Sequence, residues 1–118
     1  MRLTEEENRV VRNLIFLEFT RKTLEHDKKH IESSGVKIKD PYIEAMDKAI
    51  VKVGTEIRDL KRALHKGQIK IHEEGPRETE GSAKIYVYKL TKKGYEQRMD
   101  LASHVIKNAV VGLMRRFL

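Results

Sequence analysis

Apolar residues return along the first third of the chain at helical spacing. Leu3, Val10, Leu17, Leu24 and Ile31 recur every seven residues, with Leu14 between them. That repeat keeps one apolar stripe on one face of an α-helix. Val11, Ile15, Phe16 and Phe19 widen the stripe in its middle, so this helix is expected to bury more than one side. Thr4-Glu5-Glu6-Glu7 opens it as a capping box, in which the threonine hydroxyl and the third glutamate satisfy each other's backbone amides. The glutamates also suit the positive end of the helix dipole. Ser33-Ser34-Gly35 is expected to stop the helix, with Gly35 as a left-handed cap.

A second helix is expected from Asp40-Pro41, a capping residue followed by proline at the first helical position. Ile43, Met46, Ile50, Val53, Ile57, Leu60 and Leu64 follow at alternating spacings of three and four, as far as Lys66-Gly67. Two long helices with seven-residue repeats and a short connection predict an antiparallel, coiled-coil-like hairpin. Whether residues 41–66 form one helix or two turns on Gly54, whose cost inside a helix is only about 1 kcal/mol.

After Gly67 the period falls to two. Ile69 and Ile71 alternate with Lys70 and His72, and Tyr86, Tyr88 and Leu90 alternate with Ile85, Val87 and Lys89. A turn-rich loop is expected from Glu73 to Ser82, which contains Gly75-Pro76 and Gly81. Thr91 is read as the cap of a last helix, with Tyr95, Met99, Ala102, Ile106, Ala109, Leu113 and Phe117 on its stripe. The expected architecture is one domain over 1–118, mainly α with one β-hairpin, in the order α-α-β-β-α. It is either winged-helix-like or a helical bundle carrying a hairpin.

Charge adds one fact to this picture. The 118 residues carry a net charge of +7, which admits an acidic partner such as nucleic acid. Residues 1–35 are neutral, whereas residues 36–66 hold eight Lys and Arg against five Asp and Glu, and residues 91–118 hold six against two. The chain has no cysteine, which excludes disulfides, thiolate metal sites and cysteine nucleophiles. No apolar run approaches the ~20 residues that span a bilayer, and Glu5-Glu6-Glu7 sits where a signal peptide would be basic. The expected location is the cytoplasm, with no membrane association.

Thr55-Glu56-Ile57-Arg58-Asp59-Leu60-Lys61-Arg62-Ala63-Leu64-His65-Lys66-Gly67-Gln68-Ile69 has the cadence of a recognition helix running into a wing. Tyr88-Lys89-Leu90-Thr91-Lys92-Lys93-Gly94-Tyr95 looks like the passage from a second wing strand to a dimerisation helix. Over roughly the C-terminal 65 residues the chain thus resembles winged-helix repressors of the MarR and PadR type. The resemblance implies a transcriptional regulator that binds double-stranded DNA and dimerises through terminal helices. It would offer Thr55, Arg58, Lys61 and Arg62 to a major groove and place Lys66, Lys92 and Lys93 near phosphates.

A competing reading belongs to another class. The apolar stripe runs on across Gly54, and the expected wing tip is acidic, with Glu73, Glu74, Glu78 and Glu80 against a lone Arg77. On that reading the chain is a small helical interaction or adaptor protein, of phage or mobile-element origin, without DNA binding. In either case the last helix is apolar around much of its circumference from Val105 onward. That predicts a homodimer interface containing Val105, Ala109, Val110, Leu113, Met114 and Phe117. Lys48, Lys52, Arg62 and Lys66 share one side of the second helix and read as a solvated face or a phosphate stripe. His26 and His30 lie four apart on the first helix, and without a third ligand they read as exposed histidines, so no metal and no cofactor are expected. There is no nucleophile elbow, no phosphate-cradling glycine loop and no His-Glu-x-x-His. No catalytic residue is therefore assigned, and the chain is not expected to be an enzyme.

Overall fold

The first two stripes fold as the helices their spacing predicts. In the computed structural model, which describes residues 2–81 and 83–118, the first helix, α1, runs Glu5–Glu32 and the second, α2, runs Asp40–Lys66. The capping box of α1 is formed: the Glu7 amide donates to the Thr4 hydroxyl at 3.1 Å, and the Thr4 amide donates to Glu7 Oε1 at 2.9 Å. Two ends are made differently from expectation. Gly35 adopts no left-handed conformation. Instead, the Ser33 and Ser34 hydroxyls donate to the carbonyls of Lys29 and Ile31. Asp40 lies just inside α2 and makes no capping bond.

The helices pair antiparallel, because Glu7 lies beside Gly67 at one end while Lys28 meets Asp47 at 2.8 Å toward the other. Leu24, Ala49 and Val53 are wholly buried and Ile57 nearly so, all belonging to the core that the two helices share with the sheet. Thr20 is also fully buried, its hydroxyl spent on the Phe16 carbonyl at 2.8 Å. A buried polar group left unpaired would cost far more than this local bond.

Beyond α2 the chain forms an antiparallel sheet of three strands in sequence order: β1 Ile69–Glu78, β2 Lys84–Lys92 and β3 Tyr95–Ala102. The loop expected from Glu73 is largely strand. Pairing continues from Glu73↔Tyr88 to Glu78↔Lys84 across one irregularity at Glu73/Gly75, where Gly75 takes φ +88°. That is the left-handed geometry a bulge can demand and glycine supplies cheaply. Ser82, the end of the expected loop, lies outside the described residues.

The largest departure from expectation is β3. The last helix, α3, begins at Ser103 and ends at Phe117, not at Thr91. Lys93 and Gly94 take φ +48° and +82° between Lys92 and its partner Tyr95, which makes a tight two-residue hairpin. The segment read as a strand-to-helix passage is therefore a turn between two strands. The fold remains mainly helical with a hairpin-like sheet, in the order α-α-β-β-β-α.

One face of the sheet lies on α1. Tyr86 stacks edge-on against Phe19 with ring centroids 5.2 Å apart, and Gln97 donates to Asn8 Oδ1 at 2.9 Å. Lys92 reaches Glu7 at 2.7 Å. The hairpin thus braces the helices. α3 closes the other side, with Ile106 and Val110 buried and Arg116 paired to Glu56 of α2 at 3.1 Å. No helix among the described residues is long and apolar enough to cross a membrane.

Candidate nucleic-acid interface

Since α2 buries one stripe against α1, its opposite face is fixed by the 3.6-residue period. Lys48, Lys52, Thr55, Asp59, Arg62 and Lys66 follow at spacings of four and three, and all are exposed. Eighteen residues of rise put Lys48 and Lys66 about 27 Å apart. Asp59 interrupts this row, but its carboxylate lies 3.6 Å from Arg58. Among the described residues, Lys48, Lys52, Arg62 and Lys66 make no ion pair within the chain. The result is a continuous, cationic helix face with no intramolecular counter-charge on four of its members.

The seven residues expected to meet nucleic acid are only partly brought together. Thr55, Arg62 and Lys66 lie on the stripe, and Arg58 flanks it beside Asp59. The Thr55 hydroxyl donates to the Val51 carbonyl at 3.2 Å. Lys61 lies further round the helix on the same flank as Arg58, where it lines a cavity. Lys93 is exposed in the β2–β3 turn. Lys92 is removed from any phosphate-binding set: its ammonium is held by both carboxylate oxygens of Glu7, with the two side chains only 14 % and 22 % exposed. That pair pulls the Glu7 carboxyl below its ordinary range, with the Thr4 amide adding to the effect. Helix α2 is also continuous through Gly54, so residues 41–66 contain no helix-turn-helix.

The cavity has a volume of about 430 Å³ and sits between α1, the end of α2 and the sheet. Leu14, Ile15, Phe19, Leu64, Ile69 and Ile71 supply apolar walls, while Glu18, Lys22, Lys61, His65 and Glu73 line it with charges of both signs. Tyr88 also lines it, and burial first, then the Glu73 carboxylate, push its phenol well above the ordinary value. No hydrogen bond links these charged groups to one another among the described residues, and a mixed-sign lining selects neither anions nor cations. The sequence hinted at this hollow only through the breadth of the first helix's apolar surface, since its walls come from four elements.

The terminal-helix residues expected at a dimer interface are largely used within the chain. Val110 is buried, and Leu113, Met114 and Phe117 pack in part on the core. Val105 stays exposed, as do Val111 and Leu118.

These features define a class: a basic, mainly helical protein in which a long helical hairpin is braced by a three-stranded antiparallel sheet. Residues 2–118 match the sequence model of a family described as YhjD protein, and the chain belongs to the YhjD family. No curated protein and no solved structure matches it.

Proposed function

We propose that this chain is a non-enzymatic DNA-binding protein of regulatory type that lays the outward face of α2 along the phosphate backbone. The observation that carries the reading is the row Lys48, Lys52, Arg62 and Lys66, exposed over about 27 Å and free of internal ion pairs among the described residues. Each such cation set against a backbone phosphate releases condensed counterions, so affinity rises without any base contact. The winged-helix resemblance enters with a changed docking mode, because a continuous α2 approaches as a rod. A homodimer through α3 would offer two such rods, using Val105, Val111 and Leu118, the residues that packing leaves exposed. A cysteine-free chain suits the cytoplasm, where such a partner is found.

A salt series on a fluorescent duplex tests this. Four phosphate contacts predict a slope of log affinity on log salt of about −3.6, hence a loss of about 150-fold between about 50 and 200 mM salt. Changing Lys52 or Arg62 to alanine should lower that slope by about 0.9 each, while Lys84→Ala leaves it unchanged. Undetectable binding at low salt, or a slope indifferent to the four residues, would sink the proposal. The second reading, a protein-interaction module, is favoured by Val36, Ile38 and Tyr42, exposed at the closed end of the helical hairpin. It gains if the DNA titration fails.

A further inference from the structure

We infer that His26 and His30 form a two-imidazole site for a borderline divalent transition-metal ion of the zinc, nickel or copper(II) class. The sequence alone reads them as solvated histidines; the geometry of their rings points elsewhere. Their Nε2 atoms converge to 3.2 Å, with ring centroids 4.4 Å apart and planes tilted by 51°. Imidazole nitrogens bind such ions at about 2.0–2.1 Å. Two bonds of that length spanning 3.2 Å subtend about 100° at the metal, between the octahedral and tetrahedral angles. The two nitrogens therefore stand at the separation that a single ion requires.

The second nitrogen of His26 supplies an independent observation. His26 Nδ1 lies 3.3 Å from Asp27 Oδ1. A carboxylate accepting the Nδ1 proton fixes the tautomer whose Nε2 lone pair faces His30, the orienting contact usual behind metal-bound histidine. In the metal-free protein the Nε2–Nε2 contact needs one nitrogen to donate and the other to accept. Metal entry replaces that hydrogen bond: the proton on the donating Nε2 moves to the Nδ1 of the same ring through solvent, so each ring stays neutral and turns an Nε2 lone pair to the ion. Nor does the neighbouring Lys28 block the approach, since its ammonium is turned to Asp47 of α2 at 2.8 Å. His26 itself is 69 % exposed.

Among the described residues no third His, Cys, Asp or Glu joins the pair. The protein supplies two ligands, and water or a ligand from another molecule fills the remaining positions. Such a site follows the usual order of nitrogen ligands, with copper(II) above nickel and zinc.

The full chain titrated with copper(II) and nickel by calorimetry, with the nitrogen hyperfine pattern of bound copper as a second readout, decides the matter. Binding of one ion per chain is expected, and either His26→Ala or His30→Ala should weaken it at least tenfold. The double variant should lose little more than either single one, because chelation fails once one ring is gone. Variants at His65, His72 and His104 should bind as the parent does. Single variants that retain parental affinity, two-nitrogen signals that persist without His26, or no binding by the parent chain would each overturn the inference. Both rings are solvent-facing, and unchanged far-ultraviolet dichroism confirms that the variants fold.

Discussion

The contact between Glu7 and Lys92 ties the start of α1 to the end of β2 across 85 residues of sequence, and its removal has a calculable cost. Glu7→Gln keeps an oxygen for the Thr4 amide, because glutamine also serves a capping box. It leaves the Lys92 ammonium, 14 % exposed, with a neutral partner. Hydrogen bonds to charged groups contribute about 1.5–3 kcal/mol when desolvated, whereas exposed ion pairs contribute about 0–1 kcal/mol. The exposures of 14 % and 22 % place this pair between those limits, so about 1–2 kcal/mol is expected. A double-mutant cycle with Lys92→Met, followed by urea denaturation, isolates that coupling. The pH dependence has a definite sign. Because the folded carboxyl is held below its ordinary value of 4.5, the unfolded chain binds the proton more readily. The stabilisation is therefore complete above the ordinary glutamate range and is lost as pH falls through the lower folded value. The gap between the parent protein and Glu7→Gln should then narrow as pH falls below the ordinary glutamate range. A coupling below about 0.3 kcal/mol, or a gap that ignores pH, would refute the reasoning.

Three further outcomes follow from the same geometry. A Cβ at Gly54 meets nothing within 4 Å, so Gly54→Ala should raise stability by about 0.5–1 kcal/mol through helix propensity; a fall in the denaturation midpoint would mean that α2 is not regular there. Leu24 is fully buried between the paired helices, and Leu24→Ala should cost about 2–5 kcal/mol with an unchanged denaturant slope, so a loss below about 1 kcal/mol would mean a collapsible site. The buried Tyr88 phenol ionises far above its ordinary value of 10.0; stability should fall as pH rises past that value, because the unfolded phenol ionises first. In a phenolate titration, native protein and Tyr88→Phe should coincide until alkaline unfolding, and an early difference between them would refute the burial argument.

What the sequence disclosed and what it concealed differ in the range of the interactions involved. The capping box and both helical stripes depend on residues within four positions of each other, and they appear where the pattern put them. Strand β3 escaped because Tyr95, Met99 and Ala102 also fit a helical period, and because a polar residue masks its alternation. Gln97 belongs to the inward set with Met99 and Leu101, satisfied there by Asn8 from 89 residues away. Lys92 was misplaced for the same reason, as an apparent surface cation consumed by a carboxylate distant in sequence. The candidate stripe on α2 was legible as a row of charges, whereas its freedom from ion pairs required knowing where every acidic partner points. The cavity was not legible, because no segment contains more than one of its walls.

The continuity of α2 follows from the same balance of ranges, and it shapes how the protein would meet DNA. Gly54 weakens the helix locally by about 1 kcal/mol. Ala49 and Val53 on one side of it, and Ile57 and Leu64 on the other, are all buried in one core. Each fully buried aliphatic side chain contributes about 1.5–3 kcal/mol, so a bend that lifted either half away would cost several times what the glycine gives back. The helix therefore stays unbroken, and its outward cations form one line instead of the crossed pair of helices that inserts a recognition helix into a groove. Along that line the mid-stripe groups suited to reading base edges are largely committed: the Thr55 hydroxyl to the Val51 carbonyl and the Asp59 carboxylate to Arg58. Binding by such a face would be dominated by phosphates, steep in its salt dependence and weak in its preference among sequences. Equal affinities for unrelated duplexes at matched salt are therefore the expected result, and strong discrimination between them would require a different surface of the molecule.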